Sequence, residues 1–167
     1  MLERIWNGWR ASYVSSAGQA ADGGTGSVFT QILNSGLDDT ETNIVHRGRE
    51  CFAILNAFPY GTGHVLVLPY REVGELEALT PDETGELWPM VTDTVRAIKR
   101  AYQPEGINVG VNLGRPAGGS VSEHLHVHVV PRWTGDANFM TAVANTRTLP
   151  EALVDTAAKI RAAWPGQ

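Results

Sequence analysis

Six consecutive residues alternate with period two: His124-Leu125-His126-Val127-His128-Val129. A helix would spread these side chains around its circumference, whereas a strand sets alternate residues on opposite faces. The chain must therefore hold a strand here, predicted over His124–Val130 and stopped by Pro131. Three imidazoles line one face, while Leu125, Val127 and Val129 pack on the other. The chain has only five histidines, so three of them on one strand face is a deliberate cluster.

The surroundings predict more strands. Asn43–Arg47, Cys51–Phe58 and His64–Leu68 are apolar runs separated by the turns Arg47-Gly48-Arg49-Glu50 and Pro59-Tyr60-Gly61-Thr62-Gly63. Turns this short favour antiparallel neighbours. Ile107–Asn112 supplies a further strand, and Gly114–Ser120 a Gly-rich loop before the histidines. Thr80-Pro81-Asp82-Glu83 reads as a capping box with Pro at the first helical position. Leu87, Met90, Val91, Val95, Ile98 and Tyr102 follow at helical spacing, with Pro89 as a candidate kink and Pro104 and Gly106 as the stop. Thr148-Leu149-Pro150-Glu151 is a second signal of the same kind, opening a helix to Trp164-Pro165. Five strands with a helix after the third predict an α+β domain on an antiparallel sheet.

Before this domain, residues 14–26 are small, polar and Gly-rich, a flexible loop. They follow a segment with Trp6, Trp9, Arg10 and Tyr13, read as an arm that docks on the domain or on a partner subunit. Residues 1–26 are thus an arm and loop, and 27–167 one domain. The start of the chain has no apolar core of a signal peptide, and no run reaches membrane-spanning length, so a cytoplasmic protein without a membrane partner is expected.

Charge narrows the partners. Thirteen Lys and Arg face eighteen Asp and Glu, a net charge of −5, with no basic stripe. Nucleic acid is therefore not an expected partner. Small anions remain possible ligands, because backbone N–H groups hold phosphate without net positive charge. Cys51 is the single cysteine, so an intrachain disulfide and any zinc site with two cysteines of this chain are excluded.

Three readings compete for the His face. As a plain solvated face it is poor, since His is not favoured on exposed strands. As a metal site it is strained: Cα atoms at i and i+4 on a strand stand about 13 Å apart, while each ligand nitrogen must come within about 2.1 Å of zinc. His46 and His64 could complete such a site, but no helical His pair or Cys pair supports it. Nucleophilic catalysis gives each imidazole its own task. A neutral ring attacks through one nitrogen when its other nitrogen donates to a carbonyl. Gly118-Gly119-Ser120 adds backbone donors for charge developing on phosphorus. No P-loop, Rossmann or nucleophile-elbow motif occurs.

The motif His124-Leu-His-Val-His-Val-Val130 resembles the signature of the histidine triad family. Asn56 with Gly63-His64-Val65-Leu66-Val67-Leu68-Pro69, and Asn112-Leu113-Gly114, resemble two more of its segments. The stretch Val129 to Phe139 and the arm from Ile5 to Tyr13 are similar to the bacterial branch with diadenosine polyphosphate phosphorylase or hydrolase activity.

The resemblance implies a nucleotide-binding enzyme that cleaves dinucleoside polyphosphates. His126 attacks the α-phosphorus, and water or inorganic phosphate takes the nucleotide from it. His128 contacts the phosphates. His124 is structural and linked to His64. Asn56 binds ribose, unless it merely satisfies a turn. Asn112, Ser120, Gly118 and Gly119 line the phosphate site, and Trp133 joins the substrate-binding residues. Ser27-Val28-Phe29-Thr30 stands where many members carry a zinc-binding Cys-x-x-Cys pair, so zinc is not expected. No cofactor is required beyond Mg2+ carried by the polyphosphate. The family's habit of pairing subunits implies a homodimer or larger homo-oligomer. A phosphorylase is the leading reading. A hydrolase or nucleoside phosphoramidase, and outside enzymes a nucleotide-binding interaction protein, are the alternatives.

Overall fold

A computed structural model describes residues 26–136 and 150–166. The arm, apart from Gly26, and the segment with Thr148 and Phe139 lie outside the described residues. Five strands form one antiparallel sheet: β1 (Ile44–Arg47), β2 (Cys51–Leu55), β3 (Val65–Pro69), β4 (Gly106–Val111) and β5 (Val127–Arg132), in the order β1-β2-β3-β5-β4. The predicted α+β architecture is the one observed.

Both faces of β2 and β3 are buried, which is why their sequences read as unbroken apolar runs. Cys51, Ala53 and Leu55 join Val65, Val67, Val127 and Val129 on one face. Phe52, Ile54, Leu66 and Leu68 form the other, with Phe29. The first face is covered by two helices, α3 (Pro81–Tyr102) and α4 (Leu153–Ala162). The second carries α1 (Val28–Leu33), and a one-turn helix α2 (Asp39–Thr42) leads into β1.

Helix α3 starts as expected. Thr80 accepts from Glu83 N–H, and the Glu83 carboxylate accepts from Thr80 N–H at 2.8 Å. Arg71 grips the same carboxylate at 2.9 and 2.7 Å and holds it below the usual range. Pro89 does not interrupt the helix, which ends where Gln103 turns to a left-handed conformation. Helix α4 departs from expectation by starting at Leu153. The Glu151 carboxylate does not cap it. It accepts instead from Tyr102 Oη at 2.6 Å and Thr156 Oγ1 at 3.1 Å, and pairs with Lys159. No helix among the described residues is long and apolar enough to cross a membrane.

The His-bearing strand begins three residues later than predicted, at Val127. Pro69 ends β3 there. It has no N–H for the ladder, and its carbonyl accepts from the His124 ring at 2.8 Å. Likewise β2 stops at Leu55, because the Asn56 side chain accepts from Phe58 N–H and turns the chain. Helices α1 and α2 were not expected. Asp38 and Glu41 form a capping box that the sequence carries openly.

Candidate active site

The three histidines keep to one side although His124 and His126 precede the regular strand. Phe29, on α1, meets both rings at centroid distances of 5.4 Å. The His126 and His128 rings are 4.9 Å apart. Leu125, Val127 and Val129 pack in the opposite core, as alternation requires.

His126 is buried, and its Nδ1 stands 2.8 Å from the His124 carbonyl oxygen. A carbonyl only accepts, so Nδ1 carries the proton and Nε2 keeps its lone pair. Burial pushes the His126 pKa below the ordinary histidine value, and so keeps the ring neutral. The ring lines a cavity of about 130 Å³ with Phe29, Ile32, Asn56, Ser120 and His128. A neutral, oriented imidazole opening on a cavity is an activated nucleophile.

His128 works through His64. Tyr60 N–H donates to His64 Nδ1 at 3.0 Å, so this nitrogen accepts. The proton is then on Nε2, which donates to His128 Nδ1 at 2.9 Å. Neutral His128 consequently presents Nε2–H as a donor. Asn112 Nδ2 faces that nitrogen at 3.4 Å. Two donors meet in that arrangement, so Asn112 accepts the proton once its amide is turned over. Tyr60 also stacks on His128 at 5.7 Å. Nothing in the turn Pro59–Gly63 announced this role, because a backbone N–H leaves no mark on a sequence.

Several expectations change here. His64 is linked to His128 and not to His124, whose ring instead meets Ser27 Oγ at 2.7 Å and the Pro69 carbonyl. His46 is not in the site: it is half-buried and stacks at 4.4 Å on Trp164, a core residue. Gly118 N–H donates to Arg115 O and Gly119 N–H to Gly114 O, so neither amide is available to an oxyanion. Their glycine identity serves the loop. Gly118 has φ +102°, and a Cβ on Gly119 would stand 3.1 Å from Gly114 O. Ser120 remains on the His126 cavity. Asn56 lines it too while its oxygen serves the turn. Trp133 lies on a second, larger cavity of about 1350 Å³ that reaches Asn112 and the other side of His128.

Zinc does not fit the place where the resemblance puts it. Ser27 and Thr30 offer neutral hydroxyls already engaged in hydrogen bonds, not thiolates. Among the described residues no three His, Cys, Asp or Glu side chains stand together as a metal site.

A five-stranded antiparallel sheet thus presents His126, its Nδ1 held on a backbone carbonyl, between His124 and His128. The profile of the HIT domain matches residues 38–135, and this chain belongs to the HIT domain family. It is 44% identical over 99% of its length to a protein of Mycobacterium tuberculosis named AP-4-A phosphorylase, covering 86% of that protein. A 35% identical stretch covers 57% of the chain and 52% of a Schizosaccharomyces pombe protein named bis(5'-nucleosyl)-tetraphosphatase [asymmetrical]. Among solved structures, a Hit-like protein from Bartonella henselae aligns with TM-score 0.67 and 27% identity, over 81% of this chain and 94% of that one.

Proposed function

We propose that this chain is a nucleotidyltransferase that cleaves dinucleoside polyphosphates by phosphorolysis, converting diadenosine tetraphosphate and phosphate to ATP and ADP. The observation that carries the reading is His126: Nδ1–H held on the His124 carbonyl, which leaves the lone pair on Nε2 of a ring that lines the cavity. Nε2 attacks the α-phosphorus, and the P–O bond to the leaving ATP breaks with its electrons on oxygen. His128, which lines the same cavity, turns its Nε2–H from Asn112 to that oxygen. The AMP unit is then bonded to His126. An oxygen of inorganic phosphate attacks the same phosphorus, the P–N bond breaks, the imidazole recovers its lone pair, and ADP leaves.

The name of the 44% identical relative supports phosphorolysis. So does Ser120, a short hydroxyl side chain at the His126 cavity. Hydrolysis is the second reading, favoured by the name of the yeast relative. The test is diadenosine tetraphosphate with isotopically labelled phosphate. ATP with labelled ADP is the expected product pair. AMP and ATP formed at a rate indifferent to phosphate would establish the hydrolase. No turnover at all would leave a nucleotide-binding interaction protein.

A homodimer or larger assembly belongs to the same proposal. Among the described residues β4 pairs on one edge only, with β5, and its Val109 is 45% exposed. Light scattering at micromolar concentration should give at least twice the 18.1 kDa chain mass.

A further inference from the structure

We propose that Ser27 is a positioning residue for the nucleophile: its hydroxyl fixes the His124 imidazole, and the His124 carbonyl in turn fixes His126. The inference rests on the reading of His126 as the attacking group.

The argument starts from the His124 ring, which is fully buried. Its Nε2 stands 2.8 Å from the Pro69 carbonyl, an acceptor, and therefore carries a proton. Burial pushes the ring's pKa below the ordinary value, so Nδ1 is a lone pair. Ser27 Oγ, at 2.7 Å, must be its donor. The ring is thus held at both ends, from β3 and from the start of α1.

The direction of the Ser27 proton is set as well. As N-cap of α1, Oγ accepts from Thr30 N–H at 3.2 Å, and its own proton goes to the nearer acceptor, His124 Nδ1 at 2.7 Å, over Thr30 Oγ1 at 3.2 Å. Ser27 N–H and Thr30 Oγ1–H both donate to Glu72 Oε2, at 2.7 and 2.6 Å. Those bonds hold the Glu72 carboxylate below its usual range. Ser27, itself only 3% exposed, is tied by two of these bonds before it touches the ring, and the third ties its neighbour Thr30 to the same carboxylate.

The clamp reaches the nucleophile through one peptide unit. Leu125 N–H, in the same peptide plane as the His124 carbonyl, donates to Val73 O at 2.7 Å, next in sequence to Glu72. With the ring pinned by Ser27 and the peptide pinned by Val73, the His124 carbonyl has one direction left, toward His126 Nδ1. Ser27, Thr30 and Glu72 do not line the His126 cavity. Ser27 acts on the chemistry through His124 and, as cap of α1, through Phe29, which packs on His126; the capping route is the one a Gly cap preserves. Misplacing a reacting group by about 1 Å costs up to about 10²-fold in rate.

Ser27→Ala, Ser27→Gly and Ser27→Thr separate this role from helix capping. Gly caps a helix nearly as well as Ser, whereas Ala does not. Neither can donate to His124, and Thr can. With diadenosine tetraphosphate, kcat should fall roughly 10- to 100-fold in both Ala and Gly variants with little change in KM. Thr should restore it to within a few-fold. The second readout needs no substrate. In wild-type protein the His126 Nδ1 proton should be a slowly exchanging imidazole resonance by NMR. It should broaden or vanish in the Ala and Gly variants and return with Thr. A Gly variant with normal kcat, a loss confined to KM, or an unchanged His126 proton in the Ala and Gly variants overturns the proposal. If the wild type fails to turn over the dinucleotide while its protected proton behaves as described, the reaction reading falls and the clamp stands.

Discussion

Nε2 of His64 lies 2.9 Å from Nδ1 of His128, and that hydrogen bond decides which nitrogen of His128 faces the larger cavity with a proton. The Tyr60 amide makes His64 a donor, and His64 makes His128 an acceptor on its inner side. Two neutral rings thus settle one N–H on His128, bonded to Asn112 at rest, and in the proposed reaction that N–H is the donor for the leaving oxygen.

Replacing His64 by Ala should remove that control without removing His128. The expected loss in kcat is roughly 10²- to 10⁴-fold, the range of an acid–base group. His128→Ala should cost about as much, and the double variant little more than either single one, because both act on one proton. Fully additive losses in the double variant would show that the two rings work independently.

His126→Ala and His126→Asn should fold normally and lose more than about 10⁴-fold in activity, since the covalent step itself disappears. Circular dichroism and thermal melting check the fold. A variant retaining a tenth of wild-type turnover would falsify the nucleophile assignment.

Period-two spacing made the His face legible, because side-chain direction on extended backbone follows from counting. Thr80, Pro81 and Glu83 announced α3 for a similar reason, a local bond between near neighbours. The partner of His64 was not legible. Leu66 lies opposite His128 in the β3–β5 register, which brings His64 to His128 and leaves His124 beyond the end of β3. A helix and β4 intervene between these strands, so no turn length transmits that register. The Gly118 and Gly119 amides were misread because a sequence shows that a loop has donors, not that Arg115 and Gly114 have already taken them. Helix α1 escaped notice because six residues are too few to display helical periodicity.

Acid should affect stability and activity in a defined window. Burial lowers the pKa of His46, His124 and His126 below the ordinary 6.5. The unfolded chain binds those protons near 6.5 and the folded chain does not. The stability is therefore complete above that pH and is lost as pH falls toward the lowered folded values. Glu72 and Glu83, held below 4.5, add to the loss only at lower pH. Melting temperature should decline steadily from pH 7 to 5.5. At saturating phosphate, the acid limb of kcat/KM for the dinucleotide should fall below pH 6.5. A flat melting curve, or half-activity at or above 6.5, would contradict the burial argument.

Glu86 supports a stability prediction away from the site. Its carboxylate accepts from the Arg49 and Cys51 amides at 2.8 and 3.1 Å and from Glu50 N–H, closing the turn between β1 and β2. Glu86→Ala removes the shared acceptor of three amides, of which the part-buried Glu50 and Cys51 amides lose it at a cost, and should cost about 1–3 kcal/mol in urea unfolding. Glu86→Gln keeps an acceptor oxygen and should cost clearly less. Equal losses would mean that the carboxylate does not organise the turn.

Ser120→Gln tests the acceptor. With the Gly118 and Gly119 amides spent inside the loop, the phosphorolysis proposal leaves the Ser120 hydroxyl on the His126 cavity as the group to receive phosphate. The intermediate on His126 must be attacked from the side the polyphosphate has left. Inorganic phosphate is bulkier than water and needs room and a hydrogen-bonding partner there. A glutamine side chain narrows that space and can orient a water. Losing one hydrogen bond of about 1 kcal/mol changes a ratio roughly fivefold. The ratio of labelled ADP to AMP should therefore drop by about that factor or more, with dinucleotide KM little changed. An unchanged product ratio in Ser120→Gln would remove Ser120 from acceptor choice, whichever acceptor the wild type prefers.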